Sequence, residues 1–381
     1  MAQGERGKPI KLLYAFPEPL PLPRARGLQV VQTVLALAGQ QIDVELCYVP
    51  GAGDPFSACD LARPVNVSLV PLSRSLPWPL AGIHSNRFFA ARVARRLAAD
   101  RTDAIMVRHL KLAHILLRRF PGIPLLYEAH EVFADTAPRR RRARSAKLEG
   151  CVAARAQAIV ANSHATAERL RERYGLARSI HVIPNGVDFR SLIPEKDWAH
   201  CAERIVYAGS FFGWKGVADL VAAARELPGL RIRLLGGDED SIRSMREQAV
   251  KEGAALEFTG RVSPRRVAEA LEQACIAVLP NRADADSAFT SPIKLFEYMA
   301  AGCAIVASDL PAVREILAED EAVWFRAGDA RSLAAALRLL AADSGLARAL
   351  SARVRAKARL YTWSARGERL CVLLHSMVPA A

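Results

Sequence analysis

Short apolar runs alternate with helical segments along most of the chain, and this rhythm constrains the fold more than any other feature. In the first half, strand-like runs at 11–16 and 158–161 are separated by Ala- and Arg-rich segments that are typical of helices. The second half repeats the rhythm with a strand at 204–208, a helix at 217–227 and a strand at 231–235. Continuous apolar strands separated by helices form parallel sheets that are covered on both faces. The sequence therefore predicts an α/β protein.

The length of the chain indicates more than one domain. Its 381 residues exceed what one ordinary core accommodates and fit two domains. A proline and mixed charges at 192–202 indicate a linker. We therefore expect two Rossmann-like parallel-sheet domains, at 1–190 and 200–360, that face each other across a cleft. Open α/β sheets bind ligands at the carboxyl ends of their strands, so we expect the functional site there.

The sequence indicates neither a targeting segment nor a membrane-spanning one. The longest apolar stretches are interrupted within about ten residues, whereas a spanning helix needs about 20. Residues 1–8 are polar and lead directly into the first strand, so we expect a cytoplasmic protein without a signal peptide. The seven cysteines are scattered without C-x-x-C spacing, which favours free thiols over disulfides or a zinc site.

Positive charge is concentrated in the first half of the chain. Residues 1–190 hold 28 Lys+Arg against 15 Asp+Glu. Such asymmetry indicates an anionic partner, namely the inner face of the cell membrane, a phosphorylated acceptor or nucleic acid, unless it only reflects the general arginine usage of the chain. Nucleic acid is disfavoured because no aromatic residues interleave with the basic run and no recognition helix is evident. The run that we expect to bind the acceptor or another anion consists of Arg139, Arg140, Arg141 and Arg142.

The segment 291–302 carries the strongest chemical signal. Ser291 before Pro292 is typical of a helix start, with a side-chain cap followed by proline at the first helical position. Free backbone N–H groups at a helix start favour an anion, and a diphosphate is a natural occupant. Lys294 lies close to that end, and Glu297 lies ~1.5 turns inside the helix, where it could accept hydrogen bonds from a ribose diol.

With five other segments, this one resembles the family-four retaining glycosyltransferases of the GT-B fold, the glycosyl transferases group 1. No single segment is specific, but all six occur in the expected order, and the strand–helix rhythm extends the resemblance to most of the chain. In chain order, the segments are YEAHE at 127–131, IVANS at 159–163 with IPNGVD at 183–188, YAGSFFGWKG at 207–216, LLGGD at 234–238, FTGRVS at 258–263 and SPIKLFEYMAAG at 291–302.

The resemblance implies a hexosyltransferase that works with retention and without a bound metal or cofactor. Its co-substrate would be a UDP- or GDP-linked sugar bound in the second domain. A saccharide or lipid-linked acceptor would bind in the first domain, onto which the C-terminal helix at 364–381 would pack back. Such an enzyme would serve the biosynthesis of cell-surface polysaccharides or glycoconjugates, in contact with an anionic membrane and not with nucleic acid.

The resemblance also assigns roles to individual residues. Lys215 would place a positive charge on the leaving diphosphate, Glu297 would hold the ribose, and His130 would face the donor sugar from the other domain. These three form the implied catalytic set. The further residues implied to bind the donor are Gly209, Ser210, Gly216, Gly236, Arg261, Val262, Thr290, Ser291 and Lys294.

Two positions depart from the family pattern. Phe289 stands where the family often has a glutamate, and Ser210 stands where it commonly has an arginine. Asp284 or Asp286 could replace the carboxylate and Arg282 the positive charge; we interpret the D-x-D spacing of the two aspartates as a coincidence rather than a metal site. The departures leave open a non-catalytic partner subunit, and a nucleotide-sugar epimerase or a phosphorylase on the same architecture is a further alternative.

Overall fold

A computed structural model describes the chain as two compact units. The first contains the residues up to Asn185 together with the C-terminal helix from Trp363, and the second runs from Gly186 to Thr362. The first boundary thus precedes the linker expected at 192–202. The described residues are 8–22, 25–75, 84–254, 256–284 and 291–378.

The first unit is built on a seven-stranded sheet in which all neighbouring strands are parallel. The strand order is β3-β2-β1-β4-β5-β6-β7, so the chain reverses its direction of travel across the sheet between β1 and β4. The strands are β1 Lys11–Leu20, β2 Asp43–Pro50, β3 Val67–Pro71, β4 Ala104–Val107, β5 Leu125–Ala129, β6 Ala158–Ala161 and β7 His181–Val182.

Helices connect these strands, as the alternating pattern predicts. The described helices up to Asn185 are α1 Ala25–Gly39, α2 Asn86–Ala99, α3 Leu110–Arg119, α4 Phe133–Thr136, α5 Arg142–Arg155 and α6 His164–Tyr174, with short 3₁₀ turns at Ser57–Cys59 and Arg139–Arg141.

The second unit repeats this arrangement with a six-stranded parallel sheet. Its order is β10-β9-β8-β11-β12-β13, which again places a switch point at the first strand, between β8 and β11. The strands are β8 Ile205–Ala208, β9 Ile232–Leu235, β10 Leu256–Gly260, β11 Ile276–Leu279, β12 Ala304–Ser308 and β13 Val323–Phe325.

The helices of the second unit cover this sheet. Its longer described helices are α7 Val217–Ala224, α8 Glu239–Glu252, α9 Pro264–Gln273, α10 Ile293–Ala300, α11 Pro311–Arg314, α12 Ala330–Ala342 and α13 Ser344–Ala358, with 3₁₀ turns at Trp198–Glu203, Gly213–Lys215, Glu319–Glu321 and Arg359–Tyr361.

The predicted α/β class with two parallel sheets is confirmed. Strands β4, β6, β8 and β11 are buried at every residue, which explains why they stand out in the sequence as continuous apolar runs. The sequence pattern did not indicate β3, β7 and β13. They lie at sheet edges and are short or partly polar: β3 and β7 include polar residues, and β13 is only three residues long, Val323–Phe325.

The C-terminal helix α14, Trp363–Met377, packs within the first unit although it follows the second in sequence. Leu370 and Leu374 lie in the same apolar cluster as Val34 of α1. A Cβ atom at Gly367 would lie 2.7 Å from the carbonyl oxygen of Ala36, so the glycine allows the two helices to approach closely.

The predicted start of the 291–302 helix is wrong by one residue. Pro292 has an extended backbone (φ −74°, ψ 110°) and occupies the N-cap position, so α10 begins at Ile293. No side-chain hydrogen bond caps this helix. Ser291 thus lies one residue farther from the helix than a capping hydroxyl would.

Candidate active site

Three loops meet at the carboxyl ends of the strands in the second unit. The N–H of Gly209, after β8, donates to Leu235 O at 2.9 Å, and the N–H of Gly236, after β9, donates to Gly260 O at 2.8 Å. Gly236 has φ +113°, and a Cβ atom there would lie 2.1 Å from Gly209 O. The structure thus brings Gly209 and Gly236 together with no room for side chains between their backbones.

The loop after β8 places Lys215 at the same carboxyl end of the sheet. Its N–H donates to Phe212 O at 2.8 Å, and its ammonium lies 3.6 Å from the centre of the Trp214 ring. Gly216 follows with φ +69°, and a Cβ atom there would lie 1.7 Å from Pro280 O, beyond the end of β11. The loop is therefore wedged against the neighbouring strand end, next to the switch point.

Lys294 on α10 is a buried cation beside these loops. Its ammonium lies 4.4 Å from the centre of the Tyr207 ring and has no hydrogen-bond partner among the described residues. A Cβ atom at Gly209 would lie 3.7 Å from it. Burial and the positive charge of Lys215 lower the pKa of Lys294 well below its usual range, although Glu297 acts in the opposite direction. A buried ammonium interacts more strongly with a bound anion than a solvent-exposed ammonium does.

Glu297 lies one turn farther along α10 and is partly buried. Burial and the nearby carboxylate of Asp188 raise its pKa to about 7, against the opposing effect of Lys294. The carboxyl group therefore changes its charge close to neutral pH. Asp188 has no role that the sequence predicts, because nothing local indicates its proximity to a helix that begins more than 100 residues later.

Two tyrosines that the sequence analysis did not single out support this arrangement. Tyr298 accepts a hydrogen bond from the N–H of Ala208 at 2.9 Å, which ties α10 to the end of β8. Tyr207 donates to Ser210 O at 2.7 Å and presents its ring to Lys294. Both are fully buried and lie inside quoted motifs, where only their neighbours carried a recognised role.

Arg282 does not stand free to replace the arginine missing at Ser210. Its guanidinium donates to both carboxylate oxygens of Asp219, at 2.7 and 2.5 Å. The Asp219 side chain is 9% exposed, so this pairing compensates a buried charge. At this loop the structure places Lys294 instead, against the ring of Tyr207, whose hydroxyl donates to Ser210 O.

For the other implied donor residues, the structure gives only their exposure and their position along the chain. Arg261 is exposed and Val262 half-buried, directly after the end of β10, and Ser291 is buried before α10. Thr290, Phe289 and Asp286 lie outside the described residues. Among the residues that the structure does describe, no group of three or more His, Cys, Asp or Glu side chains is arranged to hold a metal ion.

His130 belongs to the first unit and follows β5 directly. Its Nε2 lies 3.1 Å from Glu128 Oε1, and burial, followed by the charge of Arg108, lowers its pKa to about 4. His130 is therefore neutral at physiological pH. The run Arg139, Arg140, Arg141 and Arg142 is exposed in the same unit, at the start of α5.

A separate cavity of about 860 Å³ opens at the amino-terminal end of the second sheet, near the starts of β8 and β9. Charged residues that line it are paired with each other, as Arg204 with Asp197 at 3.1 Å and Arg233 with Glu257 at 3.1 Å. Ligands of open α/β sheets bind at the carboxyl ends of the strands, so this cavity is not the candidate site.

Family profiles match both units. A profile described as Glycosyltransferase Family 4 matches residues 27–190, and one described as Glycosyl transferases group 1 matches residues 202–343. The chain belongs to the group 1 glycosyltransferases of the family-four type. The resemblance stated from the six sequence segments is thereby confirmed.

Two curated relatives of this family-four chain share one name. The chain is 35% identical over 192 residues to a phosphatidyl-myo-inositol mannosyltransferase of Mycolicibacterium smegmatis, and 33% identical over 148 residues to the protein of the same name from Mycobacterium tuberculosis. These matches cover 48% and 36% of this chain and 48% and 37% of the relatives. The chain thus spans about half or less of the length of the curated relatives it matches.

Solved structures show the fold of the family-four chain. HepE of Anabaena, crystallised with UDP, superposes with a TM-score of 0.76 at 15% identity, over 96% of this chain and 100% of that one. Sucrose-phosphate synthase of Thermosynechococcus elongatus gives 0.77 at 19% identity, over 96% and 98%. The chain has the GT-B fold. None of its described helices is both long and apolar enough to cross a membrane.

Proposed function

We propose that the chain transfers a hexosyl group from a UDP- or GDP-linked sugar to a saccharide or lipid-linked acceptor. The observation that carries this proposal is the buried ammonium of Lys294, which has no hydrogen-bond partner among the described residues and is repelled by the charge of Lys215, at glycine-rich strand ends in a member of a glycosyltransferase family. Burying the ammonium of Lys294 near the charge of Lys215, without a hydrogen bond from Lys294 to a described carboxylate, costs free energy in the unliganded protein. A diphosphate would compensate both charges.

The proposed donor site assigns one task to each group. Lys215 and Lys294 neutralise the charge that develops on the leaving diphosphate, and Gly209 and Gly236 keep the strand ends beside Lys294 free of side chains. Glu297, as a carboxylate, accepts hydrogen bonds from the ribose hydroxyls. His130, in the first unit, is assigned to the donor sugar on family membership alone.

Retention, independence of metal ions and a role in cell-surface polysaccharide or glycoconjugate biosynthesis are proposed on family membership. The acceptor is proposed to bind the first unit, where the exposed run Arg139, Arg140, Arg141 and Arg142 would meet a phosphorylated or lipid-linked substrate. The name of the mycobacterial relatives, which mentions a phosphatidyl-inositol, supports a lipid acceptor. We accordingly propose a cytoplasmic protein at the inner face of the membrane.

Calorimetric titration with UDP, GDP, ADP and TDP tests the donor site. One nucleotide is expected to bind, and Lys215→Met and Glu297→Gln are expected to weaken it at least tenfold. Lys251→Met, an exposed lysine on α8, is the matched control and should bind like the wild type. If no nucleotide binds the wild-type protein, the proposal fails, and a non-catalytic partner becomes the better description.

The transfer step is tested with the sugar of the nucleotide that binds. Membrane lipids and short oligosaccharides serve as acceptors, and NMR of the product reports the configuration of the new bond. An inverted configuration would contradict the retaining mechanism while leaving the transfer activity established.

A further inference from the structure

A buried polar network surrounds Glu128, the residue at the end of β5 two positions before His130. Glu128 is 1% exposed. Its Oε2 accepts from the Tyr14 hydroxyl at 2.9 Å, and its Oε1 accepts from Gln29 Nε2 at 2.7 Å and from Arg366 Nη2. A carboxylate in such an apolar position persists only because donors on several elements satisfy it.

Arg366 is itself held in one orientation. Its Nη1 donates to Ile183 O at 2.7 Å and to Pro184 O at 3.0 Å, while its Nε donates to Thr33 Oγ1 at 3.2 Å. The guanidinium is 3% exposed and lies in the first turns of α14. The C-terminal helix therefore delivers a fixed cation to the carboxylate beside His130.

Arg366 contributes to the ionised state of Glu128. Burial raises the pKa of Glu128, but the contact with His130 and the positive charges of Arg366 and Arg108 outweigh burial and bring the pKa below its usual range. An ionised carboxylate can only accept hydrogen bonds. His130 is neutral, so its ring nitrogen that faces Glu128 must carry the proton for the contact to be favourable.

The distance between the two side chains agrees with this assignment. The Nε2 atom of His130 lies 3.1 Å from Glu128 Oε1, within hydrogen-bond distance, although the ring orientation in the structure does not align the N–H with that oxygen. Glu128 and His130 are two positions apart at the end of a strand, which directs both side chains to the same face. Arg108 on the neighbouring strand end donates to Gln29 Oε1 at 2.7 Å and closes the network.

We propose that Glu128 and Arg366 are positioning residues for His130, which keep its proton on Nε2 and leave Nδ1 as an acceptor. Arg366 acts through Glu128, so the C-terminal helix takes part in shaping the site of the first unit. This inference rests on the proposed function only where it assigns a catalytic consequence. The state of the His130 ring is testable without it.

The ring is tested by ¹⁵N NMR of the histidine side chains, with His130→Gln to assign the signal. The wild type is expected to show His130 protonated on Nε2, and Glu128→Gln is expected to lose this single tautomer. Glu149→Gln is the matched control, because Glu149 is also a fully buried carboxylate of the first unit but accepts from the N–H of Phe133 and Ala134. A wild-type ring protonated on Nδ1, or an unchanged tautomer in Glu128→Gln, overturns the proposal.

A double variant separates positioning from stability. Glu128→Gln combined with Arg366→Met removes both charges, keeps one oxygen acceptor for Tyr14 or Gln29 and leaves no unpaired buried charge, so the fold should be retained. We expect a melting temperature close to that of the wild type, kcat for turnover of the donor lowered ~10–100-fold and KM for the donor nearly unchanged. Wild-type kcat in a stable double variant contradicts a positioning role. A wild-type protein that turns over no donor refutes the proposed function instead, while the NMR result stands.

Discussion

The ammonium of Lys294 lies 4.4 Å from the centre of the Tyr207 ring, and this aromatic face is the partner that the described structure provides for it. A cation–π contact of this kind is worth about 2 kcal/mol when desolvated, which compensates only part of the cost of burying a charge. The second cation, Lys215, adds repulsion. Lys294 thus lowers the stability of the free protein at a place where an anion would restore it.

Replacing Lys294 should therefore separate stability from binding. We expect Lys294→Met to raise the free energy of unfolding by on the order of 1 kcal/mol and to weaken nucleotide diphosphate binding at least tenfold. Thermal denaturation and calorimetric titration measure the two quantities. Lys251→Met should change neither. A destabilised Lys294→Met protein with wild-type affinity would rule out this account of the buried lysine.

The pKa of Glu297, raised to about 7, predicts opposite pH dependences for binding and stability. The ionised carboxylate accepts from ribose hydroxyls, so nucleotide affinity should fall as the pH drops below 7, approaching tenfold per pH unit. The folded state binds this proton more tightly than the unfolded chain, so the associated stabilisation is present in acid and is lost as the pH rises through about 7. Titrations at several pH values test this. Glu297→Gln should flatten the binding profile, and a flat wild-type profile would contradict the assigned role.

The wedge of Gly216 against Pro280 predicts a large effect of a single methyl group. Gly216→Ala places a Cβ atom 1.7 Å from Pro280 O and strains a backbone at φ +69°, so we expect a loss of about 2–4 kcal/mol in unfolding free energy. Gly253→Ala is the control, because Gly253 has φ +66° with nothing within 4 Å of its added Cβ and should lose only about 1 kcal/mol. Equal losses in chemical denaturation would show that the clash is relieved by movement.

The pairing of Arg282 with Asp219 predicts a structural rather than a donor-binding role for this arginine. Arg282→Met leaves the Asp219 carboxylate without its bidentate partner and should cost about 1–2 kcal/mol, since the guanidinium is 46% exposed and water compensates part of the loss. Nucleotide affinity should change less than about threefold, well below one tenfold step of 1.4 kcal/mol. A tenfold loss of affinity without a loss of stability would instead return Arg282 to the donor site.

Helices and strands whose apolar pattern lies within a single segment were predictable from the sequence. Helix α9 and strands β4, β6 and β11 have the predicted bounds, because their apolar periodicity or continuous run of apolar residues is a local property of the sequence. The edge strand β13 was not predictable, since a run of only three apolar residues is too short to indicate a strand. The start of α10 was misplaced because Ser-Pro suits both a cap and an extended approach to a helix.

The order of six short segments was enough to determine the family and the two-sheet architecture, since each segment is read along the chain. The sequence also identified Lys294 and Glu297 as candidates, because a lysine or glutamate beside a helix start has a recognisable chemistry, and the family resemblance added Lys215. Only the tertiary structure decided that Lys294 is buried against Tyr207 and that Arg366 pairs with Glu128 across 238 residues. Burial and pairing depend on which distant elements pack together, and no local pattern records that.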